Sequence, residues 1–596
     1  MLKKYGYYIA VFAAYAAAFV LFGFGVGTDC YHIMQQPAFL TDFEFFNEFP
    51  GVPGGIGEYC SCFVEQYFSS PVFGGFLLTV EILLSAWLLI VLVGKIFRTE
   101  ITEKSLLWLV PLFVAVVCCN NVYFAFHIIT QLIIMLAVSV LLHFLPGESR
   151  FFWLFEAIAA VMVYHCCGPL YLYGFCSGGI ILQFLINSER KFVNCVSLLA
   201  VAGVYPLILY RFFLPLPPEP VFYSPVAMKT ILEMYQPWIF MFYLIVPLSF
   251  VCQRISIKKR QNLWYAFSYA AMLGIVIWAY SDSESRRERF SARIICEAER
   301  ENWQYVIENA GKLGRYDRVT NFYYDLALAK TGLMSSKLFE YPQLLGNEGL
   351  LLEEPLAGGL CFHSSTQYFQ IGQIPNSLRF AYESIIYYKH SPYVLKRIID
   401  CLIISEHYTE AEMFLKQLSR NMLEGDFVRD RRRYMRGKSD CQLSDELVEE
   451  KQSQRVRLDY IMSPAFRNFE ELLLANPKNK AATDYLLCYC MLDNDLENFV
   501  NTLLASDYSL KNLPKHYQEA VAVYRATSKN PNPKIRAAEL DQTLVNRFKD
   551  FAKLANRPDE KSYRLAKQYF NHTYWLYFVF ENPMRHNFSL KKHNQL

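Results

Sequence analysis

Charge is scarce in the first half of this 596-residue chain. Residues 1–283 hold 14 Lys and Arg with 15 Asp and Glu, against 44 and 40 in residues 284–596. That scarcity excludes a wholly cytosolic enzyme, and the length excludes one continuous core, since cores split beyond roughly 250–300 residues. A basic stripe with interleaved aromatics is also missing, and a net charge of +3 leaves no footprint for a nucleic-acid partner. With 53% hydrophobic residues, 28 Gly and 26 Pro, the chain is neither disordered nor collagen-like. It contains no P-loop, no nucleophile elbow, no Gly-rich dinucleotide turn and no helix-borne His-Glu-x-x-His. Cys30, Cys60 and Cys62 have no second Cys/His pair at ligand distance, so no metal site is assigned. Most other cysteines (Cys118, Cys119, Cys195, Cys252, Cys401) fall in apolar runs or on helices, where Cys acts as a small apolar residue.

What the first half has instead is apolar runs near the length of about 20 residues that a bilayer crossing needs. Nine are read, at 5–27, 72–97, 105–119, 122–145, 151–167, 169–187, 192–214, 238–254 and 263–281. Lys and Arg collect on the cytoplasmic side of such spans. Starting inside, the inner segments carry Lys3, Lys4, Lys95, Arg98, Lys104, Arg150, Arg190, Lys191, Arg254, Lys258, Lys259 and Arg260, whereas the outer ones carry only Arg211 and Lys229. The expectation is an inner (cytoplasmic) membrane protein with its N-terminus inside and its C-terminal half outside the cytoplasm. The first run reads as an uncleaved anchor, because Gly25-Val26-Gly27-Thr28-Asp29-Cys30 makes a poor cleavage site.

Residues 28–71, the first outer loop, hold six acids (Asp29, Asp42, Glu44, Glu48, Glu58, Glu65) and no Lys or Arg. Phe39, Leu40, Phe43 and Phe46 stand at helical spacing, as do Tyr59, Phe63, Tyr67 and Phe68. The Pro50–Gly55 run breaks the chain between them. Two short aromatic helices lying in the headgroup layer are expected. Within the spans, Glu81 and His127 fall in outer parts that can approach each other, either as an interhelical hydrogen-bonded pair or as part of a proton path. A second, proline-rich outer loop covers 215–237.

From residue 284 the pattern is helical throughout. Trp303, Val306 and Ile307, then Gly311, Gly314 and Tyr316, then Leu326 and Ala327, predict a helix–turn–helix pair. Pro392 with Leu402 and Phe414, and Pro477 with Leu487 and Phe499, repeat one set of offsets, with Tyr408 and Ala411 between the first pair. These features resemble degenerate tetratricopeptide (TPR) repeats. Segment 421–456 reads as a solvated charged connector or a mobile loop, and Tyr574, Trp575, Tyr577 and Phe578 as a cluster that packs on the end of the solenoid or touches the membrane. The fold class is therefore all-α: a polytopic transmembrane bundle of about nine spans (1–283) followed by a soluble TPR-like α-solenoid (284–596).

The loop run Pro53, Gly54, Gly55, Glu58, Tyr59, Phe63, Gln66, Tyr67, Phe68, Pro71 and Gly74 resembles that of an uncharacterised family of bacterial envelope proteins joining a multipass half to a TPR-like half. The membrane half also resembles class C glycosyltransferases, which take a sugar from a polyprenyl-phosphate carrier and place an acid just beyond the first span. Asp29 holds that place, although Cys30 follows it and the paired acidic motif is absent. The resemblance implies Asp29 and Asp42 as catalytic carboxylates acting as general base. Arg211, Glu58 and Lys229 would bind substrate, Arg211 holding the carrier phosphate with its planar fork. A divalent cation on oxygen ligands such as Asp29 and Asp42 is the one cofactor this chemistry allows. Two other readings stand beside it: a membrane scaffold whose repeats recruit envelope proteins, and a transporter.

Overall fold

The computed structural model describes residues 2–97, 106–120, 126–144, 151–185, 190–214, 216–222, 261–351, 360–437, 469–470, 473–474, 477–556 and 559–583. Among them every regular element is a helix. The chain divides into two compact units, residues 1–292 with the short segment Arg420–Leu423, and residues 293–419 with 424–596.

The first unit opens with α1 (Leu2–Val20), which continues as a π-helical stretch to Val26. Three short helices follow in the first loop: α2 (Thr28–Gln35), α3 (Phe43–Asn47) and α4 (Gly55–Glu65). The apolar helices are then α5 (Pro71–Phe97), α6 (Val110–Cys118), α7 (His127–Phe144), α8 (Phe152–Cys167), α9 (Pro169–Leu185), α10 (Lys191–Phe212) and α11 (Gln261–Ser281). Four segments are long and apolar enough to cross a membrane: Tyr8–Gly25, Pro71–Ile96, His127–Phe144 and Lys191–Phe212. The expected nine spans are thus met only in coarser form. The expected span at 105–119 is a nine-residue helix, α6, that rises only about 14 Å. Its residues are nearly all buried in the bundle, so they never face lipid along a full crossing. The span expected at 238–254, Lys229 and most of the proline-rich loop lie outside the described residues.

Helix α5 has the two faces a membrane-crossing helix would have. Leu78, Ile82, Ala86 and Leu89 are buried at helical spacing, while Phe73, Phe76, Val80, Leu83 and Trp87 on the opposite face are exposed. Against α1 the approach is close: a Cβ on Gly75 would lie 2.7 Å from the Gly23 nitrogen.

Helix α12 (Ser283–Glu299) begins in the first unit and enters the second at Arg293; α13 (Trp303–Asn309) and α14 (Arg318–Thr331), the helix pair the sequence predicts, follow. Helices α15 (Cys361–Gln370), α16 (Ile374–Ile385), α17 (Pro392–Ile404) and α18 (Tyr408–Leu418) follow, each packed on the next. Their shared core includes Phe362, Ile374, Val394, Ile398, Leu402 and Leu415, with Ala411 wholly buried where α18 meets α17. Pro392 opens α17 as expected. Pro477 does not open a helix: it lies in a turn, and Asn479 caps α20 (Lys480–Leu492) by accepting from the Ala482 amide. The first part of the charged segment is no connector either, because α19 (Gly425–Met435) forms there, and residues 438–456 lie outside the described set. Its charges are paired on one side, Arg431 with Asp400 at 2.6 Å and Arg432 with Glu412 at 2.7 Å. Helices α21 (Leu496–Ala505), α22 (Lys515–Thr527), α23 (Gln542–Ala555) and α24 (Glu560–Phe570) complete the unit. The aromatic cluster at 574–578 packs inside, with Trp575 Nε1 donating to the Glu519 carbonyl at 3.1 Å.

Candidate functional site

One end of the helical bundle gathers the polar chemistry of the first unit. Gly27, at φ 77°, ends the first span and lets the chain turn into α2. The sequence pattern gives no amphipathic signal for this helix, whose residues Thr28–Ile33 are all buried. Asp29 lies in its first turn, 2% exposed, and His32 is 7% exposed. Two residues past Asp29, the Tyr31 hydroxyl donates to the Cys119 carbonyl at 2.7 Å, capping an open carbonyl at the end of α6. The neighbouring Asn120 carbonyl accepts from Arg289 Nη1 at 3.1 Å, and its side-chain oxygen accepts from the same nitrogen. The Arg289 guanidinium stacks over Tyr280 at 4.8 Å, beyond the end of α11, and its charge reaches Tyr31. The ends of α6 and α11 and the start of α2 therefore meet.

Helix α4 is packed into the same end. The Gly54 amide donates to the Tyr164 carbonyl at 3.0 Å, and Gln131 Nε2 reaches the Gly54 carbonyl at 3.4 Å. A Cβ on Gly57 would fall 2.2 Å from the Cys166 carbonyl oxygen, so α4 touches the C-terminal end of α8 backbone to backbone. The Tyr171 hydroxyl, on α9, donates to the Ile128 carbonyl at 2.7 Å near the start of α7. Helices α6, α8 and α11 end here while α7 and α9 begin, so neighbouring helices of the bundle run antiparallel.

The two loop helices expected from the sequence form, with a shifted face. Asp42 accepts from the Phe45 amide at 2.7 Å and so starts α3 at Phe43. Phe39 and Leu40 precede the helix and are buried beside Phe45, whereas Phe43 is 72% exposed. Tyr59 on α4 sits among Phe39, Phe46 and Phe49 at 5.1 to 5.5 Å between ring centroids.

The same helix carries two partly covered carboxylates, Glu58 and Glu65. Burial raises each to about 7, and the nearness of the two adds to the rise at Glu65. Glu65 accepts from Ser61 and lies within electrostatic reach of Glu81 on α5. The Glu81 carboxylate accepts from Thr130 at 2.9 Å, one turn along α7 from His127. The partner expected for Glu81 is His127; Thr130 takes that place.

The remaining predicted site residues are dispersed. Asp42 caps α3 and pairs with Arg420 at 2.8 Å, which commits its carboxylate to structure and away from an ion shared with Asp29. Arg211 is exposed at the end of α10, 5.8 Å from the Phe212 ring, as a snorkelling side chain would be. The described cysteines are free thiols, Cys30, Cys60 and Cys62 included. Arg289 and Asn120 carry no motif in the sequence. The signal that could have found Arg289 is the run Arg286, Arg287, Glu288, Arg289 just past the last apolar segment.

The second unit buries carboxylates more deeply. Glu299 accepts from Tyr323 and from Thr366, the latter at 3.2 Å. Burial alone would raise its carboxyl, but a hydrogen bond from His363, the charges of His363 and Arg397, and the Tyr323 hydroxyl hold it below its usual value. Asp484 accepts from both Tyr508 and Tyr517 at 2.6 Å. Asp325 is bonded by Gln343 at 3.1 Å and Asn321 at 3.3 Å, and burial pushes its carboxyl well above the usual range.

Residues 3–581 match the family of unknown function DUF6057. The chain belongs to that family. No curated protein and no solved structure matches the sequence. The match runs through both units, so membrane bundle and helical unit form one family architecture.

Proposed function

We propose that the membrane unit transfers a sugar from a lipid-phosphate carrier, in the manner of the class C glycosyltransferases it resembles, with Asp29 as general base. The observation that carries the reading is the placement of Asp29: a buried carboxylate in the first turn of α2, directly past the first apolar segment. Two residues on, Tyr31 meets the end of α6, where Arg289 is held by Asn120. A base at this end can take the proton of an acceptor hydroxyl, and a nearby guanidinium offsets the charge of a leaving phosphate. Arg289 takes over the role first expected of Arg211, which is exposed at the C-terminal end of α10.

The test uses the full chain in nanodiscs, with a photoactivatable polyprenyl phosphate and a polyprenyl-phosphate-linked radioactive sugar. Labelling that requires the phosphate and falls at least tenfold in Arg289→Gln supports the reading. Asp29→Asn should keep the labelling and lose sugar release. Equal labelling by the unphosphorylated polyprenol, or full sugar release by Asp29→Asn, overturns it.

A second reading is favoured by the helical unit: α15 to α18 stack in sequence, as repeat modules that bind partner proteins do. In that case changes along α16 and α18 would abolish function while Asp29→Asn would not.

A further inference from the structure

We infer that the turn Arg420–Leu423 is a lipid anchor, whose apolar tip, Met422 and Leu423, enters the headgroup and acyl boundary of the membrane beside the first loop. The inference stands apart from the transferase reading.

The turn is strapped to the loop by three groups on two consecutive residues, Arg420 and Asn421. The Arg420 carbonyl accepts from the Thr41 amide and from the Thr41 hydroxyl, each at 3.0 Å. Asn421, 5% exposed, donates through Nδ2 to the Phe39 carbonyl at 3.0 Å, and its Oδ1 accepts from the Leu423 amide at 2.8 Å. The second bond closes an Asx turn and fixes the two residues that follow. The Arg420 guanidinium reaches Asp42 at 2.8 Å and Glu44 at 3.2 Å, the two acids flanking Phe43.

This strapping leaves three large apolar side chains in the open: Phe43 at 72%, Met422 at 54% and Leu423 at 45%. Apolar surface left in water costs about 25 cal/mol per Å², and a lipid boundary around the turn would remove that cost. Its surroundings are indicated by what the loop continues into. Ring contacts run from Phe43 through Phe46, Tyr59 and Phe39 to Phe63, and on through Tyr67 to Phe73, with centroid separations of 5.1 to 6.2 Å. Phe73 opens the exposed stripe of α5, the face an apolar crossing helix turns to lipid. The rim with Phe43, Met422 and Leu423 is thus the aqueous end of a surface whose other end is lipid-facing. Aromatic and apolar residues gathered at this rim suit that boundary, where rings sit at headgroup level.

The experiment places p-benzoylphenylalanine at Met422 in the full chain, in nanodiscs of phosphatidylethanolamine and phosphatidylglycerol. Adducts after irradiation are read by mass spectrometry. Lys553, whose side chain is 75% exposed on the polar surface of α23, is the reference position. A lipid adduct at least fivefold above the Lys553 yield is expected. A yield equal to Lys553, or adducts to protein alone, overturns the anchor. Arg420→Asp should lower the lipid adduct several-fold, and adding Asp42→Arg should restore it. An adduct that ignores both changes overturns the role of the strap. If Arg420→Asp does not accumulate, the same reporter at Leu423 decides: a lipid adduct supports the anchor and its absence overturns it.

Discussion

The two units bury polar groups by different means. In the first, hydroxyls of tyrosines donate to main-chain carbonyls between helices: Tyr15 to Trp108 at 2.7 Å, Tyr31 to Cys119 at 2.7 Å, Tyr164 to Val221 at 3.0 Å and Tyr171 to Ile128 at 2.7 Å. In the second, some tyrosines do the same, Tyr577 to Leu492 at 2.7 Å and Tyr324 to Lys337 at 3.0 Å, but others converge on a buried carboxylate, as Tyr508 and Tyr517 do on Asp484. The difference follows the surfaces. Apolar helices offer no water to an open carbonyl, so most of these tyrosine donors go to backbone acceptors, while Glu81 takes its bond from Thr130. A unit with a charged surface can pair its ions there and place a few acids within a hydrogen-bonded network. The first unit should therefore be most sensitive to backbone spacing, and the second to loss of a shared acceptor.

The largest effect is expected where α4 meets α8. Gly57→Ala puts a methyl where the Cys166 carbonyl stands, 2.2 Å from the new Cβ, and neither backbone can yield without moving its helix. A loss of about 3 kcal/mol is expected for the first unit. Gly51→Ala, with nothing within 4 Å of its Cβ, should stay within about 0.5 kcal/mol. Thermal melts in detergent separate the two, and equal melting points would break the backbone-contact account. Next comes Asp484→Ala, which leaves two largely buried phenols without their acceptor and should cost about 2–3 kcal/mol, with Asp484→Asn costing less. If the two variants lose equally, the acceptor is not what the tyrosines need. Tyr31→Phe removes one donor from one carbonyl, a loss of about 1 kcal/mol in the first unit's melt. A larger loss than Asp484→Ala would reverse the comparison.

The same contrast explains what could be read in the sequence. Helical class, the division into halves and the two loop helices are periodic features, and period survives without knowing the partner. The face of α3 is not of that kind. Phe39, Leu40, Phe43 and Phe46 share a helical spacing only if one helix carries them all. Asp42 caps at that point, so the phase restarts and Phe45 turns inward instead. The Pro50–Gly55 break was legible, but the demand at Gly57 belongs to a carbonyl more than 100 positions away. Pro477 looked equivalent to Pro392, yet Asn479 two residues on makes the stronger cap and sets the start of α20. Of the candidate site, Asp29 was legible from its place after the first span. Arg289 was not, because its neighbours in sequence belong to a charged run and its partner Asn120 lies in another helix end.

The most diagnostic effect is on pH. Glu58 and Glu65 are held at about 7 in the folded chain, against 4.5 for the free carboxyl. Between these values the folded state binds more protons than the unfolded one, so stability falls as pH rises from about 4.5 to about 7 and then levels off. This is opposite in sign to Glu299 in the second unit, whose lowered carboxyl favours the folded state more as pH rises through its own titration range. The first unit should therefore melt lower at pH 8 than at pH 5.5, and Glu58→Gln with Glu65→Gln should flatten that slope. Both substitutions keep the side-chain shape and remove only the charge that burial opposes, so the variant should melt higher than the parent at pH 8. A parent whose first unit gains stability with pH over this range would show that water reaches both carboxyls, and α4 would then be a surface cap resting on the bundle instead of a helix built into it.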